Sequence, residues 1–192
     1  MKHPSLDARP VVVAVAGPNG AGKTTFCNAL LRQSGLRFVN ADEIARDMNL
    51  DAYTAAALAG ALRAELVKQR ESFVFETVFS DPAGEKVRFL KSAAVSGYTV
   101  VLCFVGIPSA DVSGQRVAMR VTQGGHDVPR DKLKDRFPRT LANLKRAIRE
   151  LPLVLVFDNG DLGRPFRRLA EFEKGRRVFL AAGLPRWFRT VL

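Results

Sequence analysis

The chain has 192 residues, 47% of them hydrophobic and 26% charged, the balance of one domain, or one domain with a small appendage, that can bury its own core. Disorder as the main state is excluded, and the apolar runs, such as Val100–Ile107, are too short to span a membrane. The net charge of +11 is uneven: residues 1–100 carry 12 Lys+Arg against 10 Asp+Glu, whereas residues 101–192 carry 18 against 9, so the second half calls for anionic partners.

The opening Met1-Lys2-His3-Pro4-Ser5-Leu6-Asp7 lacks the apolar core of a signal peptide, and the expectation is a cytoplasmic protein. Strands are predicted at Val11–Ala16, Arg37–Asn40, Phe73–Phe79, Thr99–Gly106 and Leu153–Asp158, where β-branched and apolar residues run together. Between them Thr24–Gln33 reads as a helix closed by Gly35, and Asp51–Arg70 as an Ala/Leu-rich helix. Asp81-Pro82 supplies an N-cap and first residue for a helix stopping near Gly97. Ser109 caps a helix to about Thr122, and Pro129–Glu150 is a longer helical stretch that Pro138 should kink or split. Beyond Asp158, six basic residues between Arg164 and Arg177 accompany Leu169, Phe172, Phe179 and Leu180. They predict a basic, amphipathic helical extension over 164–192, packed on a core of 1–163, with its charges solvated.

This alternation predicts a three-layer α/β fold: a five-stranded parallel sheet, helices on both faces, and ligands at the carboxyl ends of the strands. Cys27 and Cys103 lie in apolar stretches and read as buried, reduced thiols, not a disulfide or a zinc site.

Gly17-Pro18-Asn19-Gly20-Ala21-Gly22-Lys23-Thr24 fits G-x-x-x-x-G-K-[ST] between a strand and a helix. Backbone N–H groups of this loop, continued by Thr25, cradle nucleotide phosphates. Lys23 bridges the β- and γ-phosphates, and the Thr24 hydroxyl ligates Mg²⁺ with Thr25 assisting. A glycine-rich turn alone leaves Lys-Thr at this offset unexplained. Ser113-Gly114-Gln115-Arg116 is like a degraded ABC-transporter signature, but no strand ending in Asp-Glu follows it, which excludes that reading.

Two further strand ends fall beside this loop. Asn40-Ala41-Asp42-Glu43 ends the second strand, and Glu76-Thr77 lies in the third. Asp42 is the candidate base for a hydroxyl proton; an N-cap for the helix starting at Glu43 and a water-mediated magnesium contact are the alternatives. Glu76, flanked by apolar residues, needs a partner or a ligand hydroxyl and reads as acceptor-binding. After the fourth strand, Arg116 and Arg120 share one helix face, Gly124-Gly125-His126-Asp127-Val128-Pro129 forms a glycine-hinged loop, and Arg136 and Arg139 follow. This helix–loop–helix, about 108–150, is read as an arginine lid. Arg120 and Arg136 are the favoured phosphate clamps, Arg116 and Arg139 the alternates. His126 stands as a turn residue, a lid latch or a substrate contact. Asn159-Gly160 reads as a turn in preference to an adenine contact.

These motifs, in order from Val11 to Gly160, together resemble the zeta toxin family of small P-loop kinases. The residues that carry the likeness are Gly17–Thr25, Asn40-Ala41-Asp42, Glu76-Thr77, Arg116–Arg120, Gly124-Gly125-His126 with Val128-Pro129, Arg136 to Asn143-Leu144, and Asp158-Asn159. The resemblance implies ATP-dependent phosphorylation of a hydroxyl on a UDP-activated amino sugar, typically UDP-N-acetylglucosamine. It makes Asp42 the base, Lys23 the phosphate-loop lysine, Arg120 the first lid arginine, and Glu76 and Thr77 acceptor contacts. It also implies a separate antitoxin, here an acidic one, that covers the nucleotide site. The expected function is therefore a small-molecule kinase using ATP and Mg²⁺. An antibiotic or other metabolite kinase is the nearest alternative, and a nucleotide-hydrolysing, nucleic-acid-associated protein a more distant one. The basic residues do not interleave with aromatics as in an RNA module, which argues against nucleic acid.

Overall fold

Val11–Ala16 (β1) is buried at all six positions, which demands a strand on each edge and cover on each face. A computed structural model describes residues 3–31, 34–123 and 127–192 and supplies both. Phe73–Thr77 (β3) and Thr99–Gly106 (β4) flank β1 in parallel, with Ala16 level with Thr77 and Phe104. Arg37–Val39 (β2) pairs beyond β3, and Leu153–Asp158 (β5) beyond β4, both parallel.

The sheet has seven strands rather than the expected five, in the order β2-β3-β1-β4-β5-β6-β7. Arg167–Glu173 (β6) and Arg176–Leu180 (β7) are antiparallel additions in the segment expected to be helical. The physical reason lies at Lys174-Gly175. Both residues have positive φ, 48° and 78°, as the two central residues of a primed hairpin turn require, and such a turn reverses the chain where a helix would continue it. Leu169, Ala170 and Phe172 then enter the core, while the arginines of β7 face solvent.

The helices are Lys23–Phe26 (α1), Ala41–Asp47 (α2), Ala52–Lys68 (α3), Glu85–Val95 (α4), Ala110–Val121 (α5), Arg130–Glu150 (α6) and Arg186–Arg189 (α7). Leu66, Leu90 and Leu144 bring α3, α4 and α6 onto one face of the sheet, and Phe26 and Val112 bring α1 and α5 onto the other. The second and third strands end earlier than expected, at Val39 and Thr77, and three helices depart from their expected form. The helix after the phosphate loop is α-helical only to Phe26 and continues as a π-turn over Cys27–Leu31. α4 starts at Glu85 with Gly84 as its N-cap, because Pro82-Ala83-Gly84 forms a turn; the Asp81 carboxylate still accepts from the Glu85 N–H. α6 runs unbroken through Pro138. The missing N–H leaves the Lys134 carbonyl without a donor, but Lys134 and Pro138 are both exposed, so water can serve it.

Trp187 of α7 is buried, stacks near Phe104 and donates from Nε1 to Asp158 Oδ1 at 2.8 Å. A Cβ on Gly106, the last residue of β4, would stand 2.2 Å from the indole ring, so glycine is needed there to let the ring in. Cys27 and Cys103 are free and buried, and burial pushes the Cys27 thiol up to about 12. Among the described residues no helix is long and apolar enough to cross a membrane.

Candidate functional site

The loop from Gly17 to Gly22 leaves β1 at the carboxyl edge of the sheet. Gly17 has φ +149°, and a Cβ there would stand 2.1 Å from the Val105 carbonyl oxygen. Gly22 has φ +86°, with the Asn159 side chain 2.7 Å from where its Cβ would be. Side chains take this position poorly. Three carbonyls of the loop are held from outside. The Ser113 hydroxyl donates to Asn19 O at 2.7 Å, Arg116 to Gly20 O at 3.4 Å, and Asn159 Nδ2 to Ala21 O at 2.9 Å. Since C=O and N–H oppose each other across a trans peptide, those bonds turn the N–H groups of Gly20 and Gly22 to the other side. The result is a preformed concave row of donors suited to phosphate oxygens.

Lys23 is 6% exposed. Its Nζ donates to Pro18 O at 3.2 Å and lies 3.7 Å from Glu76 Oε1. Burial holds the ammonium below the ordinary lysine range; the Glu76 and Asp42 carboxylates oppose that shift, and Arg120 adds to it. The Thr24 hydroxyl donates to Glu76 Oε2 at 2.8 Å. Thr24 and Glu76 thus set two hard oxygen donors side by side next to the phosphate loop, which is the chemistry Mg²⁺ prefers. Glu76 therefore sits at the phosphate end of the site, bound to Lys23 and Thr24.

A cavity of about 390 Å³ opens beside this cluster. It gathers Asn19, Gly20, Lys23, Asn40, Asp42 and Glu76, and also takes Thr77, Arg120 and Arg136 into its wall. Asp42 is exposed in the first turn of α2. The helix is capped instead by Asn40, whose Oδ1 accepts from the Asp42 N–H at 2.9 Å. The N-cap alternative for Asp42 falls, and its carboxylate is not needed to start the helix. Thr77 Oγ1 accepts from the Phe79 N–H. Arg136 is half-buried; Arg139 is exposed and outside the wall. Arg116 is also outside it, spent on Gly20 O and Gly160 O. Gly17, Pro18, Ala21, Gly22, Thr24 and Thr25 belong to the loop without lining the cavity. His126 lies outside the described residues.

Several residues hold the site in place through bonds that a sequence reading does not give. Thr140 Oγ1 donates to Val78 O, and Asn143 Nδ2 donates to Phe79 O and Asp81 O, so α6 pins the strip after β3 that forms one wall. Ser113 and Asn159 anchor the phosphate loop. Tyr53, Arg63 and Lys86 line the cavity from α3 and α4.

A family profile described as an AAA domain matches residues 12–141. An uncharacterized protein of Haemophilus influenzae is 29% identical over 127 residues, 63% of this chain and 88% of that protein. Among solved structures, a chain of the AvrRxo1-ORF1:AvrRxo1-ORF2 complex with sulphate ions superposes with a TM-score of 0.75 at 18% identity, over 97% of this chain and 66% of the other. The same complex with ATP gives 0.73 at 18%, over 97% and 65%. This chain thus spans just under two thirds of the length of those two. A chain of the PezAT toxin–antitoxin system of Streptococcus pneumoniae gives 0.62 at 13%, over 85% and 72%. At these identities the likeness establishes a shared α/β P-loop architecture.

Proposed function

We propose that this chain, which belongs to the AAA domain family, is an ATP-dependent kinase that transfers the γ-phosphoryl group to a hydroxyl of a small molecule. A UDP-activated amino sugar is the first acceptor to test. The observation that carries the reading is the single cavity joining Lys23 of the phosphate loop to Asp42, Glu76, Arg120 and Arg136. A phosphoryl donor and a hydroxyl would meet there.

Asp42 takes the acceptor proton while the acceptor oxygen bonds to the γ-phosphorus and the bond to the ADP oxygen breaks. Lys23, Arg120 and Arg136 offset the charge spread over the transferring group. Thr24 and Glu76 would hold Mg²⁺, which supplies further neutralisation of the phosphates. Arg116, Ser113 and Asn159 keep the loop in its phosphate-binding shape. The helices α5 and α6 form the lid.

An acidic protein partner that covers the nucleotide site fits the basic charge of the second half and the two-protein systems in which similar folds occur. The fold, the charge and the absence of a membrane-crossing helix among the described residues are compatible with a cytoplasmic protein. An antibiotic or other metabolite hydroxyl remains the alternative acceptor.

The test is ATP consumption with mass spectrometry of products across UDP-sugars, nucleosides, aminoglycosides and phenicols. A phosphorylated UDP-sugar that disappears with Asp42→Asn supports the reading. ADP formation with no phosphorylated product across the panel counts against it and favours an ATPase.

A further inference from the structure

Arg63 lies in the middle of α3, on a helix otherwise rich in alanine. It is 7% exposed, yet it lines the cavity. Its guanidinium carbon lies 4.9 Å from the centre of the Phe75 ring and 6.0 Å from that of Phe89. Among the described residues it has neither a carboxylate within ion-pair distance nor a hydrogen-bond acceptor, and burial alone pulls its pKa below the usual arginine value.

An arginine buried without an anion costs stability. The two rings return part of that through cation–π attraction, but they satisfy none of the five N–H donors. Its neighbours in the wall do not neutralise it. Lys86 of α4 and Arg136 of α6, both half-buried, likewise make no ion pair among the described residues. Lys23 is different, because Glu76 answers it at 3.7 Å. The cavity therefore has a charge-matched end at the phosphate loop and a cationic wall from α3 and α4; Asp81 and Asp127 also line the cavity, neither within ion-pair distance of Arg63 or Lys86.

We propose that this wall is a subsite for an oxyanion carried by the acceptor, a phosphate or a carboxylate, with Arg63 as its principal ligand and Lys86 as its outer charge. The Arg63 guanidinium lies against the corner where the Phe75 and Phe89 rings meet edge to face, 5.9 Å apart at 79°, and its fork of N–H donors suits two parallel N–H···O bonds to one oxyanion. The inference rests on the kinase reading for the word acceptor, and it narrows that reading: neutral hydroxyl compounds are excluded and anionic ones selected. Arg63 would set specificity without taking part in phosphoryl transfer.

The experiment is calorimetric titration of the whole protein with its phosphate loop filled by Mg²⁺ and a non-hydrolysable ATP analogue. The probes are UDP, with uridine as its uncharged counterpart, and D-gluconate, with sorbitol as its counterpart. The expected result is binding of one anionic probe and not of its counterpart. UDP binding assigns a phosphate to the wall, gluconate binding a carboxylate. Arg63→Met should weaken that probe at least tenfold and leave the ATP analogue's affinity unchanged. Lys86→Met, at a less buried position, should weaken it less, and serves if Arg63→Met does not fold. Binding of neither anion overturns the proposal, as does equal binding by wild type and the two variants. The assay needs no turnover. Loss of anion binding in a protein that still phosphorylates an acceptor sinks the subsite alone, and Arg63-dependent anion binding in a protein that transfers no phosphoryl group sinks the kinase reading alone.

Discussion

Replacing Glu76 by glutamine removes one charge and almost no volume. In the wild type Glu76 lies 3.7 Å from Lys23, with side-chain exposures of 12% and 6%. At an effective dielectric constant of about 20, two unit charges at that distance attract by about 4 kcal/mol. The amide oxygen of glutamine can still accept from the Thr24 hydroxyl, so that bond survives. What remains is a buried ammonium whose one other hydrogen bond among the described residues is to Pro18 O, and breaking such a pair from one side costs about 3–5 kcal/mol. We expect a loss near 3 kcal/mol, which moves the urea midpoint down by roughly 1–3 M for an m-value of about 1–3 kcal/mol/M.

Two controls follow from the same geometry. Mg²⁺ with an ATP analogue brings phosphates to Lys23, so saturating nucleotide should recover much of the loss. The pH dependence has a definite sign. Lys23 in the fold already has a lowered pKa, so between the folded and unfolded values the unfolded chain binds more protons and stability rises with pH. Glu76→Gln lowers the folded value further. The deficit should be largest near neutrality and shrink as pH rises toward about 10.4, the unfolded lysine value. Equilibrium urea unfolding at several pH values measures both. A variant within about 0.5 kcal/mol of wild type at pH 7 without nucleotide, or a deficit flat in pH, would refute the view that Glu76 is the standing counter-charge of Lys23.

Asp42→Asn should leave unfolding and ATP-analogue affinity unchanged, because Asn40 caps α2, while kcat in the product assay drops about 10²–10⁴-fold; unchanged turnover rejects the base. Arg120→Ala should act mainly on kcat, by about 10²-fold. Arg116→Ala, which frees Gly20 O of the phosphate loop and Gly160 O after β5, should act mainly on ATP affinity, by roughly tenfold, or about 1.4 kcal/mol; steady-state kinetics would show the two patterns exchanged if the assignment is wrong. Gly106→Ala should cost about 1–3 kcal/mol by driving a methyl into Trp187. Trp187→Phe should cost a similar amount by leaving Asp158 without its donor. The double variant should lose less than the two separate costs combined, since the smaller ring makes room; strict additivity in urea unfolding would show the two residues do not press on each other.

The phosphate loop and the five parallel strands were legible because their signals are local. A run such as Val11–Ala16 ahead of a glycine-rich turn reads as a buried strand, and a Gly-x-x-x-x-Gly-Lys-Thr motif announces the turn from strand to helix. The hairpin β6–β7 was missed for a physical reason. Its arginines pattern equally well along a helix or a solvent-facing edge strand, and the deciding signal was the two-residue Lys174-Gly175 turn. Arg63 was invisible because a lone arginine among alanines reads as a solvated charge; only the rings of Phe75 and Phe89, 12 and 26 residues away in sequence, reveal that it is covered. Ser113, Asn143 and Asn159 act on backbone carbonyls distant in sequence, and no spacing rule announces such bonds. Glu76 was placed beside the phosphate loop by strand order, but its bond to Thr24 depends on side-chain reach that a sequence does not give.

The sheet ends in two open edges, and each is blunted in its own way. β2 has three residues, too few to template a long pairing. β7 is longer, with Val178 and Phe179 exposed, the kind of flank along which sheets of separate molecules zip together. It also carries Arg176 and Arg177 on the exposed edge, and the Arg168 guanidinium lies over the Phe179 ring at 5.0 Å. A second copy pairing along this edge would bring four arginines into one short stretch of sheet, a charge cost of the kind that discourages edge-to-edge association.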